Sequence, residues 1–74
     1  MKKNDFIKNI KQILETADDI NEKTKLSEYN FDSLMILELI VFQEKYFKKL
    51  NIDADKYIDC KTVKDLMKIF KIYE

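Results

Sequence analysis

The stretch DSLMILELIVFQEKYFKK, residues 32–49, largely decides the fold, because its apolar side chains recur at three- and four-residue spacing. That spacing predicts an amphipathic helix, and Asp32 supplies the side-chain acceptor that commonly precedes one. We therefore expect a helix from Ser33 to about Lys49. Its predicted inward stripe is Ile36, Leu39, Ile40, Tyr46, Phe47 and Leu50. Gln43 falls on the same inward side, which is unusual for a polar residue.

The opposite side of this helix mixes aliphatic residues with charges. Its members are Leu34, Leu37, Glu38, Val41, Glu44, Lys45 and Lys48. A helix with a purely structural role has no need of aliphatic side chains in water. The pattern therefore predicts a surface that contacts other proteins.

Helical periodicity also appears near both ends of the chain. Asn4 or Asp5 can cap a first helix, and Thr62 with Asp65 has the spacing of a capping box before a last one. The stripe of the first helix is Phe6, Ile7, Ile10, Ile13, Leu14 and Ala17. The stripe of the last is Val63, Leu66, Met67 and Phe70.

The two remaining segments are less regular. Residues 18–32 are predicted to form a long loop held to the core by its apolar residues, and residues 51–61 a short third helix. The loop residues are Ile20, Leu26, Tyr29 and Phe31, and those of the third helix are Ile52, Tyr57, Ile58 and Cys60. The predicted fold class is all-α: a small antiparallel four-helix bundle with a long loop between helices 1 and 2 and a short third helix.

Length and composition favour a binding or carrier role over catalysis. A chain of 74 residues is expected to form a single domain, residues 1–74, whose core supplies only about 3 to 5 kcal/mol. With no histidine, acid/base chemistry would need a strongly shifted carboxylate, lysine or thiol. The single cysteine, Cys60, is expected to be a buried small side chain with no role. No catalytic residue and no metal site are predicted.

Charge and hydropathy exclude other classes of partner. The fourteen basic residues are all lysine and balance fourteen acids, so the arginine forks suited to nucleic acid are missing. Polar residues interrupt any apolar run after Met1, so neither a signal peptide nor a membrane span is expected. We expect a cytoplasmic monomer.

Ser33 follows a helix cap at the end of a long loop, so it should be accessible. The first-turn amides of a helix carry partial positive charge and favour a phosphate. Asp32 and Ser33 are also ordinary residues for a helix start, and local chemistry alone favours that simpler interpretation.

The wider pattern changes this balance. One pattern comprises the segment Tyr29-Asn30-Phe31-Asp32-Ser33-Leu34, then Leu37-Glu38-Leu39, Glu44 and Phe47. This pattern resembles the acyl carrier protein family. In that family the serine follows Gly, any residue and Asp, and precedes Leu, with an aliphatic-Glu-Leu triplet downstream. The Thr62-Val63 pair that opens the last helix also fits.

The resemblance implies that a phosphopantetheinyl transferase moves 4'-phosphopantetheine from coenzyme A onto Ser33, beside the motif residue Asp32. The terminal thiol would then carry an acyl or aminoacyl cargo, attached by a loading ligase and passed to downstream acyl-transfer enzymes. The implied partner-binding residues are Leu34, Leu37, Glu38, Val41 and Glu44.

Departures from the family suggest a specialised pathway. Asn30 replaces the usual glycine, Lys45 replaces an acid, and the net charge is zero where housekeeping fatty-acid carriers are strongly acidic. Tyr57 could fill the space used for acyl chains and favour a short or polar cargo. Ordinary packing, with the ring hydroxyl in water, is the interpretation we prefer for it.

Three other functions remain open. An unmodified helical interaction module would use the exposed face of helix 2. A small DNA-binding domain would need a basic recognition helix, which the acidic second helix argues against. An enzyme built on the neighbouring Asp18 and Asp19 is disfavoured, because these are typical turn residues.

Overall fold

A computed structural model describes residues 1–29 and 31–72, and these form four α-helices. They are α1 (Lys3–Ile13), α2 (Ser33–Tyr46), α3 (Ala54–Ile58) and α4 (Val63–Ile69). A 3-10 helix, Leu26–Tyr29, interrupts the long segment between α1 and α2. The prediction of a small helical bundle with a long first loop and a short third helix is confirmed. Asn30, where glycine is usual, lies outside the described residues.

Helix α1 begins earlier than predicted, and the assignment of Asn4 or Asp5 as its cap was wrong. Lys2 occupies the cap position without a side-chain hydrogen bond. Asn4 and Asp5 lie inside the helix, and Asp5 is an acidic residue of the first turn. A carboxylate there is stabilised by the helix dipole without acting as a cap.

Helix α1 also ends earlier than its apolar stripe suggested. Glu15 takes a left-handed backbone, φ 54°, and the Thr16 amide donates to the Lys11 carbonyl at 3.3 Å. A left-handed residue just past a helix satisfies its last carbonyls and turns the chain away. Ala17 therefore lies beyond the helix and is exposed, contrary to its predicted place in the stripe.

The long loop is held to the bundle as predicted. Ile20 and Leu26 are buried. Backbone hydrogen bonds also tie the loop to the start of α4: the Leu26 amide donates to the Lys61 carbonyl at 2.9 Å, and the Val63 amide donates to the Thr24 carbonyl at 3.1 Å. These bonds fix the path of the chain that leads to α2.

Helix α2 stops at Tyr46 rather than near Lys49, because Phe47 leaves the helical conformation. The inward placement of Tyr46 was wrong, since 48% of this residue is exposed. Its ring packs against Phe42 with 5.2 Å between centroids and otherwise lines a groove between α1 and α2. The other predicted inward residues are buried or half-buried: Ile36, Leu39, Ile40, Phe47 and Leu50.

Helix α3 has five residues and buries only one side. Tyr57 and Cys60 are buried as predicted, whereas Ile58 is 61% exposed and was wrongly assigned to the core. Adjacent side chains of a helix point about 100° apart, and the direction that buries Tyr57 leaves Ile58 in solvent.

The predicted capping box of α4 is confirmed. Thr62 Oγ1 accepts from the Asp65 amide at 3.3 Å, and Asp65 Oδ2 accepts from the Thr62 amide at 3.2 Å. The Lys61 amide donates to the same Asp65 oxygen at 2.9 Å. These backbone hydrogen bonds lower the pKa of Asp65 despite its partial desolvation.

Aromatic rings join the helices at the centre of the bundle. The Phe70 ring, just after α4, lies 5.3 Å from Phe6 on α1, 5.5 Å from Phe42 on α2, 5.1 Å from Phe47 and 5.9 Å from Tyr57 on α3, measured between centroids. Tilted and edge-on rings at these separations attract one another in addition to burying apolar area. One aromatic cluster therefore links all four helices.

Candidate functional site

Ser33 is the first residue of α2, as predicted. Asp32 occupies the cap position with an extended backbone, and its Oδ1 accepts from the Met35 amide at 3.1 Å. The Asp32 carbonyl accepts from the Ile36 amide at 3.1 Å, which starts the ladder of the helix. The cap holds the Ser33 side chain at the exposed end of the helix.

The surroundings of Ser33 suit a phosphodiester. Within the described residues, the Ser33 hydroxyl makes no hydrogen bond and is exposed. The first amides of a helix have no partner inside it and carry partial positive charge. The Asp32 cap takes the Met35 amide, and the first turn of α2 itself contains no acidic residue. The residues present therefore fit a serine-linked phosphate.

All five predicted partner-binding residues lie on the surface of α2. Leu34, Leu37 and Val41 are 68%, 57% and 64% exposed. Glu38 and Glu44 are exposed too, and neither pairs with a lysine among the described residues. The structure thus brings an aliphatic row and two unpaired carboxylates to the helix that begins with Ser33.

The space between α2 and α3 is occupied by a buried hydrogen-bonded group. Tyr57 is fully buried, and its hydroxyl donates to Gln43 Oε1 at 2.9 Å. Gln43 Nε2 donates in turn to the Leu50 carbonyl. The expectation that the Tyr57 hydroxyl lies in water was wrong. Burial first, and the Cys60 thiolate that forms at high pH second, raise the pKa of Tyr57 to about 12.

Cys60 is buried, in agreement with its predicted role as a small core residue. Its Sγ donates to the Lys56 carbonyl at 3.3 Å. Burial first, and the nearby Asp65 and Asp59 carboxylates second, raise the pKa of this thiol to about 11. A protonated, covered thiol is a poor nucleophile.

Asp18 and Asp19 contact different partners. Asp18 Oδ2 accepts from the Tyr29 hydroxyl at 3.0 Å, and this hydrogen bond raises the pKa of Tyr29. Asp19 lies 3.8 Å from the Lys11 ammonium. In residues 1–29 and 31–72, no three side chains are grouped as metal ligands.

Sequence reasoning missed two features of the site. One is the bond between Gln43 and Tyr57, for which the inward position of a glutamine was the available signal. The other is the groove between α1 and α2, which depends on how the two helices pack and has no signature in either helix alone.

A protein-family model described as a phosphopantetheine attachment site matches residues 5–70. The chain belongs to this family. No curated protein and no solved structure matches the chain. The match to the family model confirms the predicted relationship to acyl carrier proteins.

Members of the phosphopantetheine attachment-site family carry 4'-phosphopantetheine as a covalently bound group. The chain is therefore a carrier protein of this group, and carriers of this kind interact with a phosphopantetheinyl transferase and with acyl-processing enzymes. Across the described parts of the chain, no helix combines the length and apolar character required to cross a bilayer.

Proposed function

We propose that Ser33 is the attachment site of the phosphopantetheine arm, and that the chain carries acyl or aminoacyl groups as thioesters on that arm. The observation behind this assignment is the exposed, unbonded Ser33 hydroxyl at the first position of α2, beside the capping carboxylate of Asp32. The other serine of the chain, Ser27, lies in the 3-10 helix. It therefore lacks the row of aligned amides that favours a phosphate.

In the attachment reaction, the Ser33 oxygen bonds to the phosphate of coenzyme A that bears pantetheine. The phosphoanhydride bond breaks, adenosine bisphosphate leaves, and the serine hydroxyl loses its proton. The bound arm supplies a thiol that holds the cargo as a reactive thioester. The chain itself holds the arm at an accessible helix end and presents it to other proteins.

Intact-protein mass spectrometry tests the attachment site. The purified chain is incubated with coenzyme A, magnesium and a broad-specificity phosphopantetheinyl transferase. We expect a gain of one phosphopantetheine in the wild type and in Ser27→Ala, and no gain in Ser33→Ala. An equal gain in Ser33→Ala, or none in the wild type, would contradict the proposal.

Two features support a specialised pathway over bulk fatty-acid synthesis. The exposed side of α2 carries Lys45 next to Glu44, and the whole chain has a formal net charge of zero. A weakly acidic surface steers poorly toward strongly basic enzymes. Tyr57 and Gln43 also occupy the interior between α2 and α3, which supports a short or polar cargo.

The row Leu34, Leu37 and Val41, flanked by Glu38 and Glu44, is our proposed docking surface for the transferase, the loading ligase and the acyl-transfer enzymes. Small apolar anchors with a few charges suit brief contacts, in which the charges mainly affect association rate and orientation.

The mass of the protein from its native host tests the cargo. A short or polar acyl group is expected, and a long saturated chain would contradict it.

A further inference from the structure

A shallow groove runs between α1 and α2. Attachment of the arm to Ser33 gives this groove no role. Its volume is about 590 Å³, within the range of ligand-binding clefts. One wall is the exposed row of α2, from Leu34 through Leu37 and Val41 to Tyr46, and the other wall is α1. A second depression of about 600 Å³ adjoins it and shares Asn9, Gln12 and Tyr46 with it.

The groove starts beside the proposed attachment site and has a suitable length. Leu34, the residue after Ser33, lines one end, and Tyr46 lines the other. Tyr46 lies twelve positions after Leu34 along the helix, which at about 1.5 Å per residue is roughly 18 Å. An extended pantetheine arm has as many backbone bonds as four to five amino-acid residues, so it spans roughly 16 Å.

The lining matches the chemistry of that arm. Pantetheine combines a dimethyl-substituted carbon with two amide groups. The α2 wall combines its aliphatic row with two aromatic rings and the charged Glu38 and Lys45, while α1 contributes the side-chain amides of Asn9 and Gln12. Asn9 Nδ2 donates to the Asp5 carbonyl at 2.8 Å, which leaves its Oδ1 as an acceptor for an arm amide. A mostly apolar cleft with a few polar groups is typical of a ligand site.

Within the described residues, the interior between α2 and α3 is already occupied. Between α2 and α3, Tyr57 is fully buried and bonded to Gln43, so an arm would have to displace both. Breaking that pair would leave buried polar atoms unsatisfied. The groove requires no such rearrangement.

We propose that the phosphopantetheine arm, when no client enzyme is bound, lies in the groove between α1 and α2 with its thiol end near Tyr46. This inference rests on the proposed function, because it requires the arm on Ser33. In this position the arm covers the apolar row that client enzymes contact, so a docking enzyme displaces the arm and releases it toward its own active site.

Paramagnetic relaxation tests the position of the arm. The transferase loads the chain from a coenzyme A whose thiol has first been joined to a nitroxide, so that Cys60 is not modified. We expect the methyl signals of Val41, which is 64% exposed, to broaden several-fold more than those of Ile58 on α3. Helix α3 meets α2 through Gln43, away from the groove, and Ile58 is similarly exposed at 61%. Equal broadening of both sets, or stronger broadening at Ile58, would overturn the proposal.

A matched pair of variants checks that the groove itself is responsible. Gln12→Trp fills the groove from α1 and leaves the α2 surface unchanged, whereas Asn4→Trp adds the same bulk at an exposed α1 position outside it. Selective broadening should be lost in Gln12→Trp and retained in Asn4→Trp, and its persistence in Gln12→Trp would count against the groove. Mass spectrometry on the same samples separates the two proposals, because failure to load refutes attachment, and loading without selective broadening refutes only the groove.

Discussion

At the scale of single residues, the buried hydrogen-bonded pair of Gln43 and Tyr57 connects α2 with α3. Gln43 is the buried polar residue among those described, and each of its two side-chain ends has a partner, Tyr57 on one side and Leu50 on the other. A buried amide of this kind is tolerated only when both ends are bonded. The pair therefore links α2 to α3 and fills the space between them.

Tyr57→Phe is predicted to destabilise the chain by about 1 to 3 kcal/mol, because it leaves Gln43 Oε1 buried without a donor. Tyr46→Phe is the matched control. Tyr46 is 48% exposed, so its change should stay within about 0.5 kcal/mol. Urea unfolding of the two variants and the wild type measures both values. Equal effects would mean that the buried bond contributes nothing.

The same substitution has a predicted pH signature. The pKa of Tyr57 is raised from 10.0 to about 12, so the unfolded chain loses this proton at a lower pH than the folded one. The corresponding stability is fully present below pH 10 and is lost as pH rises toward about 12. The difference in unfolding free energy between wild type and Tyr57→Phe should therefore narrow over that range. Cys60 titrates in both proteins, and a constant difference would contradict the assignment.

At the scale of elements, helix ends decide where the functional side chains point. Helix α2 starts with a side-chain cap from Asp32, and α4 starts with the capping box of Thr62 and Asp65. Helices α1 and α3 start without a side-chain cap bond. Local sequence predicted the first two starts because their capping side chains lie at the required spacing.

Asp32→Ala is predicted to cost about 1 kcal/mol, because the Met35 amide loses its acceptor. Asp53→Ala provides an internal control, since Asp53 holds the same position before α3 but makes no side-chain cap bond. Its effect should remain within about 0.5 kcal/mol. Chemical unfolding of both variants tests this. A larger loss in Asp53→Ala would show that cap geometry is not the cause.

At the scale of the whole molecule, charge is balanced overall but not evenly distributed. Glu38 and Glu44 stand on the exposed side of α2 without a lysine partner among the described residues, although the chain as a whole has no net charge. The rate at which client enzymes associate should therefore depend on this local pair of carboxylates. Apolar contact with Leu37 and its neighbours should contribute most of the affinity.

Leu37→Asp is predicted to lower kcat/KM for loading by the transferase about tenfold or more, equivalent to about 1.4 kcal/mol of lost docking. Ile58→Asp is the control, because both residues are similarly exposed, 57% and 61%, on different helices. Initial rates measured by mass spectrometry give the comparison, and circular dichroism verifies that both variants fold. Equal rates would place the docking surface elsewhere.

Sequence reasoning succeeded where a feature depends on neighbours in the chain. Asp32, Thr62 and Asp65 lie within a few residues of the groups they bind, so their spacing alone is informative. It failed for Tyr46 and Ile58, whose apolar character suggested burial. Whether a position near a helix end is covered depends on where the next helix passes, which local periodicity does not contain.

The sequence by itself determined the four helices, the cap beside Ser33 and the exposed row of α2, because helix formation and capping act over three or four residues. The family relationship also follows from sequence, through the match over residues 5–70. Only the tertiary structure decided that Tyr57 meets Gln43 in a closed interior and that a groove remains open between α1 and α2. Both depend on the packing of helices distant in the chain, where the fit of particular side chains, and not their periodicity, sets which spaces are filled.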